Sequence, residues 1–145
     1  MVLPLLLVMN LIDLYPTVRL LHIGLVLCSG ALFAARGMGV LIGAQWSMAL
    51  SVRRLSYAID TALLCAAVLL LYILALNPFA VAWLATKIGL LLVYIVLGTL
   101  ALKRARTARL RAAFFVAAIL CFTFMLTVAV THHPLGIGVK LLSIL

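Results

Sequence analysis

The stretch RLLHIGLVLCSGALFAARG, residues 19–37, decides how the rest of the chain is read. It is an apolar run of membrane length with Arg19 and Arg36 near its ends and His22 inside it. A run of about 20 residues reaches about 30 Å as a helix, the thickness of a bilayer's hydrocarbon core. Titratable rings are rare at that depth and mark functional positions when they occur.

The whole composition agrees with that setting. The chain has 145 residues, of which 69% are hydrophobic and 9% charged, and its mean hydropathy is +1.43. Soluble domains carry roughly 45–50% apolar and about 25% charged residues. An all-α integral membrane protein follows, with room for about four spans joined by short connections. The predicted architecture is a four-transmembrane-helix bundle forming a single membrane domain.

A net charge of +9 raises the question of nucleic acid. Nearly all the Lys and Arg residues lie between apolar runs, which is where membrane topology places them, so no direct nucleic-acid binding is expected. Cys28, Cys65 and Cys121 are odd in number, far apart and each inside an apolar run. They read as small packing residues rather than as a disulfide framework; a shared metal site is the weaker alternative, since no CxxC spacing or neighbouring His supports it.

In chain order, residues 1–15 form an N-terminal extension whose apolar run is too short to span and lacks the basic start and cleavage site of a secretory signal. Either Met9 is the true start or the first eight residues lie along the interface. Pro16 suits a first helical turn, giving helix one at about 17–36. The following loop carries Trp46, Arg53 and Arg54, helix two takes about 55–76, and Asn77-Pro78 breaks it. Helix three takes about 80–102, KRARTARLR follows at 103–111, and helix four runs from about 112 to 131, ending at THHP. Residues 135–145 are apolar but short and hold Gly136 and Gly138, which predicts a surface-lying tail.

Both long basic loops belong on the cytoplasmic side, so both termini and the uncharged Asn77-Pro78 turn face outward across a bacterial inner membrane. That sorts the polar residues by depth. His22 and Lys87 fall in the outer half, with Arg19, Trp83, His132 and His133 near the same rim. Asp60 enters from the cytoplasmic side, where Arg36, Arg53 and Arg54 are available. His22, Ser29 and Arg36 recur at seven-residue spacing on helix one, as Lys87 and Tyr94 do on helix three, so each set shares a helix face. Thr123, Thr127 and Thr131 make a row of hydroxyls able to bond their own helix or a neighbour.

Each polar position has a plain reading beside the functional one. Asp60 unpaired in lipid would cost about 2.5–3.5 kcal/mol, which favours an ion pair with Arg36 or Arg53 over proton carriage. Lys87 either extends toward the interface or binds an anionic group. His132 and His133 are either interfacial residues or ligands, and His22 is either a hydrogen-bonded packing residue or a ligand or proton carrier.

LLHIGLVLCSGALFAARG, SYAIDTALL and NPFAVAWLATKIGLLLVYIVLGTLALKRART together resemble the SirB family of small bacterial inner-membrane proteins, named for up-regulation of invasion gene expression, over residues 15–134. The residues carrying the likeness are His22, Ser29, Arg36, Gly37, Asp60, Thr61, Pro78, Trp83, Lys87, Tyr94 and Gly98. Many members place a Lys before the helix-one His and a His before the Asp; here those places hold Arg19 and Tyr57 or a neighbour. The resemblance implies a four-helix membrane fold and an indirect regulatory effect, with no reaction attached.

A shorter likeness links His22, the small residues after it, Arg36 and Lys87 to the four-helix membrane protoporphyrinogen oxidase of bacteria, a haem-binding protein. Haem b suits such a helical scaffold, with His22 as an axial ligand, His132 or His133 as the second, and Lys87 and Arg19 against the propionates. A quinone held by His22 and Lys87 is the alternative cofactor. The competing reading is a cofactor-free accessory or regulatory protein that packs against a larger membrane complex or against its own copies. A transporter fits least, because no helix is broken at mid-span and there is no internal repeat. Phosphate loops, nucleophile elbows and zinc spacings are absent, which weighs against an enzyme. Alkaline phosphatase fused at Pro78 should be active and fusions at Arg54 or Arg106 inactive; the reverse pattern would invert the orientation.

Overall fold

The computed structural model describes residues 2–138, with side chains from residue 13 onward. Helix α1 covers Val2–Leu41, a 3-10 turn Gln45–Met48, α2 Leu50–Ile73, α3 Ala82–Thr99 and α4 Ala108–Thr131. Helix α3 runs on into a π-helical turn, Leu100–Arg104. No strand occurs among the described residues. Four segments, Asp13–Leu41, Leu50–Ile73, Ala82–Arg104 and Ala108–Thr131, are long and apolar enough to cross a membrane. This is the make-up of a multi-pass membrane protein, since a helix satisfies its backbone polar groups internally where no water is present. Leu20, Val68, Tyr72 and Val130 are exposed, and Phe79 is 96% exposed, as suits side chains turned to lipid rather than to water.

The helix ends differ from the sequence expectation for identifiable reasons. Helix α1 starts at Val2 rather than near residue 17 and carries Pro16 inside it. Proline gives up one backbone hydrogen bond there, a loss that membrane helices tolerate. The helix also passes Gly37 and stops at Leu41. Gly43 takes the left-handed conformation, φ +74°. The Ala44 amide donates to Gly39 O at 2.8 Å and that of Gly43 to Val40 O at 3.3 Å. These are the two bonds of a Schellman cap, which a glycine forms at no steric cost.

Helix α2 begins five residues earlier than expected and ends at Ile73. Its cap is of the same kind, with Leu76 N–H donating to Leu71 O at 3.1 Å and Ala75 N–H to Tyr72 O at 3.2 Å. Here an alanine, Ala75 at φ +49°, takes the left-handed position. Asn77 starts the next turn, its side-chain oxygen accepting from Phe79 N–H at 3.0 Å. At the far end Thr107 caps α4, with Oγ1 accepting from Leu110 N–H at 3.2 Å.

The chain divides into two compact units, Met1–Leu32 with Ala49–Leu76, and Phe33–Met48 with Asn77–Leu145. In the first, a hydrogen bond from Ser29 to Asp60 joins α1 to α2. The second is built on aromatic rings. Phe33 meets Tyr94 edge-on at 5.2 Å between centroids and Phe115 at 5.7 Å, and Tyr94 meets Phe122 at 5.6 Å. Phe33 thereby ties the end of α1 to both α3 and α4. Ala118 and Val128 are fully buried on α4, and Cys121 Sγ–H donates to Leu90 O at 3.3 Å across to α3.

Two glycines make the room this cluster needs. A Cβ at Gly98 would lie 3.1 Å from the Phe33 ring, and one at Gly37 would run into the Phe115 ring. Gly37 thus serves close packing rather than helix termination. After α4, Gly136 at φ +54° lies against Thr127 and Val128, so residues 132–138 fold back on the last turn of the helix. The rest of the surface-lying tail, 139–145, and the side chains of 1–12 in the N-terminal extension fall outside the described residues. Gly37→Ala should cost about 1–3 kcal/mol through overpacking on the Phe115 ring. Phe115→Leu should recover part of that loss in thermal unfolding of detergent-solubilised protein.

Candidate functional site

Polar groups gather at separate places in the two units. In the first unit, Ser29 Oγ–H donates to Asp60 Oδ1 at 2.6 Å. Because α2 starts at Leu50, Asp60 lies ten residues along it, about 15 Å from its start, nearer mid-span than the sequence boundaries implied. Asp60 remains exposed. Thr61 beside it donates to Tyr57 O at 2.7 Å, which satisfies its hydroxyl within α2.

His22 lies nine residues, about 14 Å, along the Asp13–Leu41 segment. Its ring is half-buried, and its Nδ1 is closed off from solvent. Arg19 is exposed one turn earlier. The two share a face of α1 at i, i+3 spacing, so a group bound at His22 would have a guanidinium within reach of an acidic substituent.

Arg36 belongs to the second unit and is 5% exposed. Its Nε–H donates to Ser47 O at 3.1 Å. Ser47 is itself 0% exposed, and its Oγ–H donates to Ala44 O at 2.7 Å. The Gly39 backbone lies against Ser47, with room there for no more than a hydrogen. The loop after α1 is therefore folded over the Arg36 side chain. Sequence reasoning missed Ser47, which carries no motif and sits in a short polar turn.

Lys87 is half-buried on α3, one turn after Trp83 on the same face. The Trp83 ring packs edge-on against His132, 4.8 Å between centroids. His132 holds the left-handed cap position of α4, φ 52°. Trp83 and His132 so join the start of α3 to the end of α4, with Lys87 one turn further along α3. His133 is used differently, because its Nδ1 accepts from Leu135 N–H at 3.2 Å. A neutral ring accepting at Nδ1 carries its proton on Nε2, so iron ligation by His133 requires that hydrogen bond to break.

The family model described as "Invasion gene expression up-regulator, SirB" matches residues 15–134. The chain belongs to the SirB family. No curated protein and no solved structure matches it. The SirB match spans every polar residue described above, from Arg19 to His133, together with three of the membrane-length segments and all but the first two residues of Asp13–Leu41.

Among the described residues, no group of three His, Cys, Asp or Glu is placed to hold a bare metal ion. The positions of interest in this SirB protein are therefore single side chains at depth, His22, Asp60 and Lys87, each with a local polar or aromatic neighbour. The Ser29–Asp60 bond should show as coupling in a double-mutant cycle. Ser29→Ala should cost about 0.6–1.7 kcal/mol in detergent unfolding, the range of hydrogen bonds between membrane helices. It should cost almost nothing more in an Asp60→Leu background, and strict additivity would show that the pair does not form in the membrane.

Proposed function

We propose that this SirB-family protein lies in the bacterial inner membrane with both ends outside, and that it holds a redox cofactor through His22. The observation that carries the reading is the half-buried imidazole of His22 within an apolar membrane-length helix, with Arg19 one turn away on the same face. An imidazole is a common axial ligand of haem iron, and a guanidinium pairs with carboxylates. Haem b fits that donor set, because the macrocycle brings its own nitrogens and asks the protein for one axial base. When bound it would supply one-electron chemistry. His22 would hold the iron, Arg19 would neutralise a propionate, and the surrounding leucines would exclude water.

The Trp83–His132 contact favours a second reading, in which a quinone headgroup sits in the second unit. Lys87 would donate to a quinone oxygen there and the Trp83 ring would cover one edge. Arg36, held by Ser47, reads as a structural group in either case. Any effect on invasion gene expression would be exerted indirectly, from the membrane.

A dithionite-reduced minus oxidised spectrum of the purified protein tests the haem reading. Soret and alpha bands in the wild type, lost in His22→Ala and weakened in Arg19→Gln, are the expected result. A featureless spectrum from cells supplied with haem would rule it out. Quinone recovered by solvent extraction from the wild type but not from Lys87→Met would then support the second reading. A colourless, quinone-free protein would leave the accessory role, tested by what copurifies.

A further inference from the structure

We infer that the basic connection running from the π-helical turn Leu100–Arg104 into the first turn of α4 is a binding surface for anionic phospholipid headgroups, centred on Arg104, Arg106 and Arg109. Lys103, Arg104, Arg106, Arg109 and Arg111 place five cations in nine residues. The chain has only two acidic residues, Asp13 and Asp60, so residues 61–145 contain none. No carboxylate side chain of the second unit can therefore neutralise this loop. Screening acts over a Debye length of about 8 Å at physiological ionic strength, so repulsion between neighbouring cations of the run is the least screened.

The loop is nevertheless held in one conformation. Ala105 N–H donates to Leu100 O at 2.9 Å, closing the π-helical turn. Arg111 Nη2 donates to Ala105 O at 3.3 Å, and Thr107 Oγ1 accepts from Leu110 N–H at 3.2 Å. Ala101 and Ala105 are buried, at 1% and 7% exposure. Arg111 is thereby spent on the loop itself.

Ala105 is extended, φ −65° and ψ 127°, and faces inward. Its neighbours Arg104 and Arg106 are both exposed, as is Arg109. Packing that fixes the backbone and leaves three guanidiniums outward presents them ready to bind. The binding chemistry called for is a phosphate-bearing anion, which guanidinium groups grip with paired hydrogen bonds. The loop sits at the end of two membrane-length segments, Ala82–Arg104 and Ala108–Thr131. That is headgroup depth, so the phosphates within reach are those of the lipids around it. This inference is independent of any cofactor at His22 and of which side the loop faces.

The test uses the full chain in nanodiscs of equal parts phosphatidylcholine and phosphatidylglycerol, with mass spectrometry of the lipid retained on detergent extraction. Wild type should retain phosphatidylglycerol preferentially. R104Q/R106Q should reduce that preference by about 25-fold, each surface cation being worth about fivefold. R53Q/R54Q, the same charge change in the first turn of α2, should leave it within about twofold. Equal losses in the two doubles would mean that net charge alone sets the preference, and would overturn the proposal, as would no preference in the wild type. A second measurement covers misfolding of the Gln pair: about 1 M salt must abolish the wild-type preference, since it shortens the Debye length to about 3 Å. A preference that survives salt overturns the electrostatic account. Retention of single-stranded RNA by the wild type without phosphatidylglycerol preference would assign the loop to nucleic acid instead and also overturn it.

Discussion

A polar group in hydrocarbon has no water to turn to, and leaving one without a partner costs several kcal/mol. Most of this structure follows from that constraint. The backbone meets it by being helical across all four membrane-length segments. The hydroxyls of Thr61, Thr86, Thr99, Thr123, Thr127 and Thr131 meet it by donating to carbonyls of their own helices. Ser29 reaches across to Asp60 and so spends its hydroxyl on joining two helices.

The same constraint explains why shape, rather than hydrophobicity, organises the second unit. Leucine gains little by leaving lipid for a protein interior, so helices associate where small residues allow close approach and where rings interlock. Gly98 and Gly37 are the hollows, and Phe33 and Phe115 the matching projections. Tyr94 and Phe122 extend the contact along α3 and α4. The buried Arg36 stands beside this cluster in the chain, four residues after Phe33 counting both ends, and is given its acceptor by the turn at Ser47. A buried guanidinium can be held there because a backbone carbonyl takes up its charge-assisted hydrogen bond.

Charge is distributed on a different principle. The acidic residues are confined to Asp13 and Asp60, whereas five of the cations fall between residues 103 and 111, where α3 gives way to α4. A chain so unbalanced depends on its surroundings for counter-charge, which is what the proposed headgroup contact would supply. His22 and Lys87 belong to different units, each with its own neighbours.

The sequence by itself determined the membrane setting, the number of long apolar helices and the family, because hydropathy and span length are additive properties of a linear string. It also picked out Ser29, Arg36, Asp60, Gly37 and Gly98 as residues worth placing. What each does was decided by tertiary structure. Gly37 reads as a helix stop until Phe115 is seen against it, and Gly43 ends α1 instead because the Schellman bonds close there. Ser47 carries no signal at all, since its importance comes from a carbonyl presented to Arg36 eleven residues earlier. Likewise, the sequence offers His132 and His133 as equals. Only the fold, by packing one edge-on against Trp83 and engaging the other with Leu135 N–H, gives adjacent identical side chains different partners.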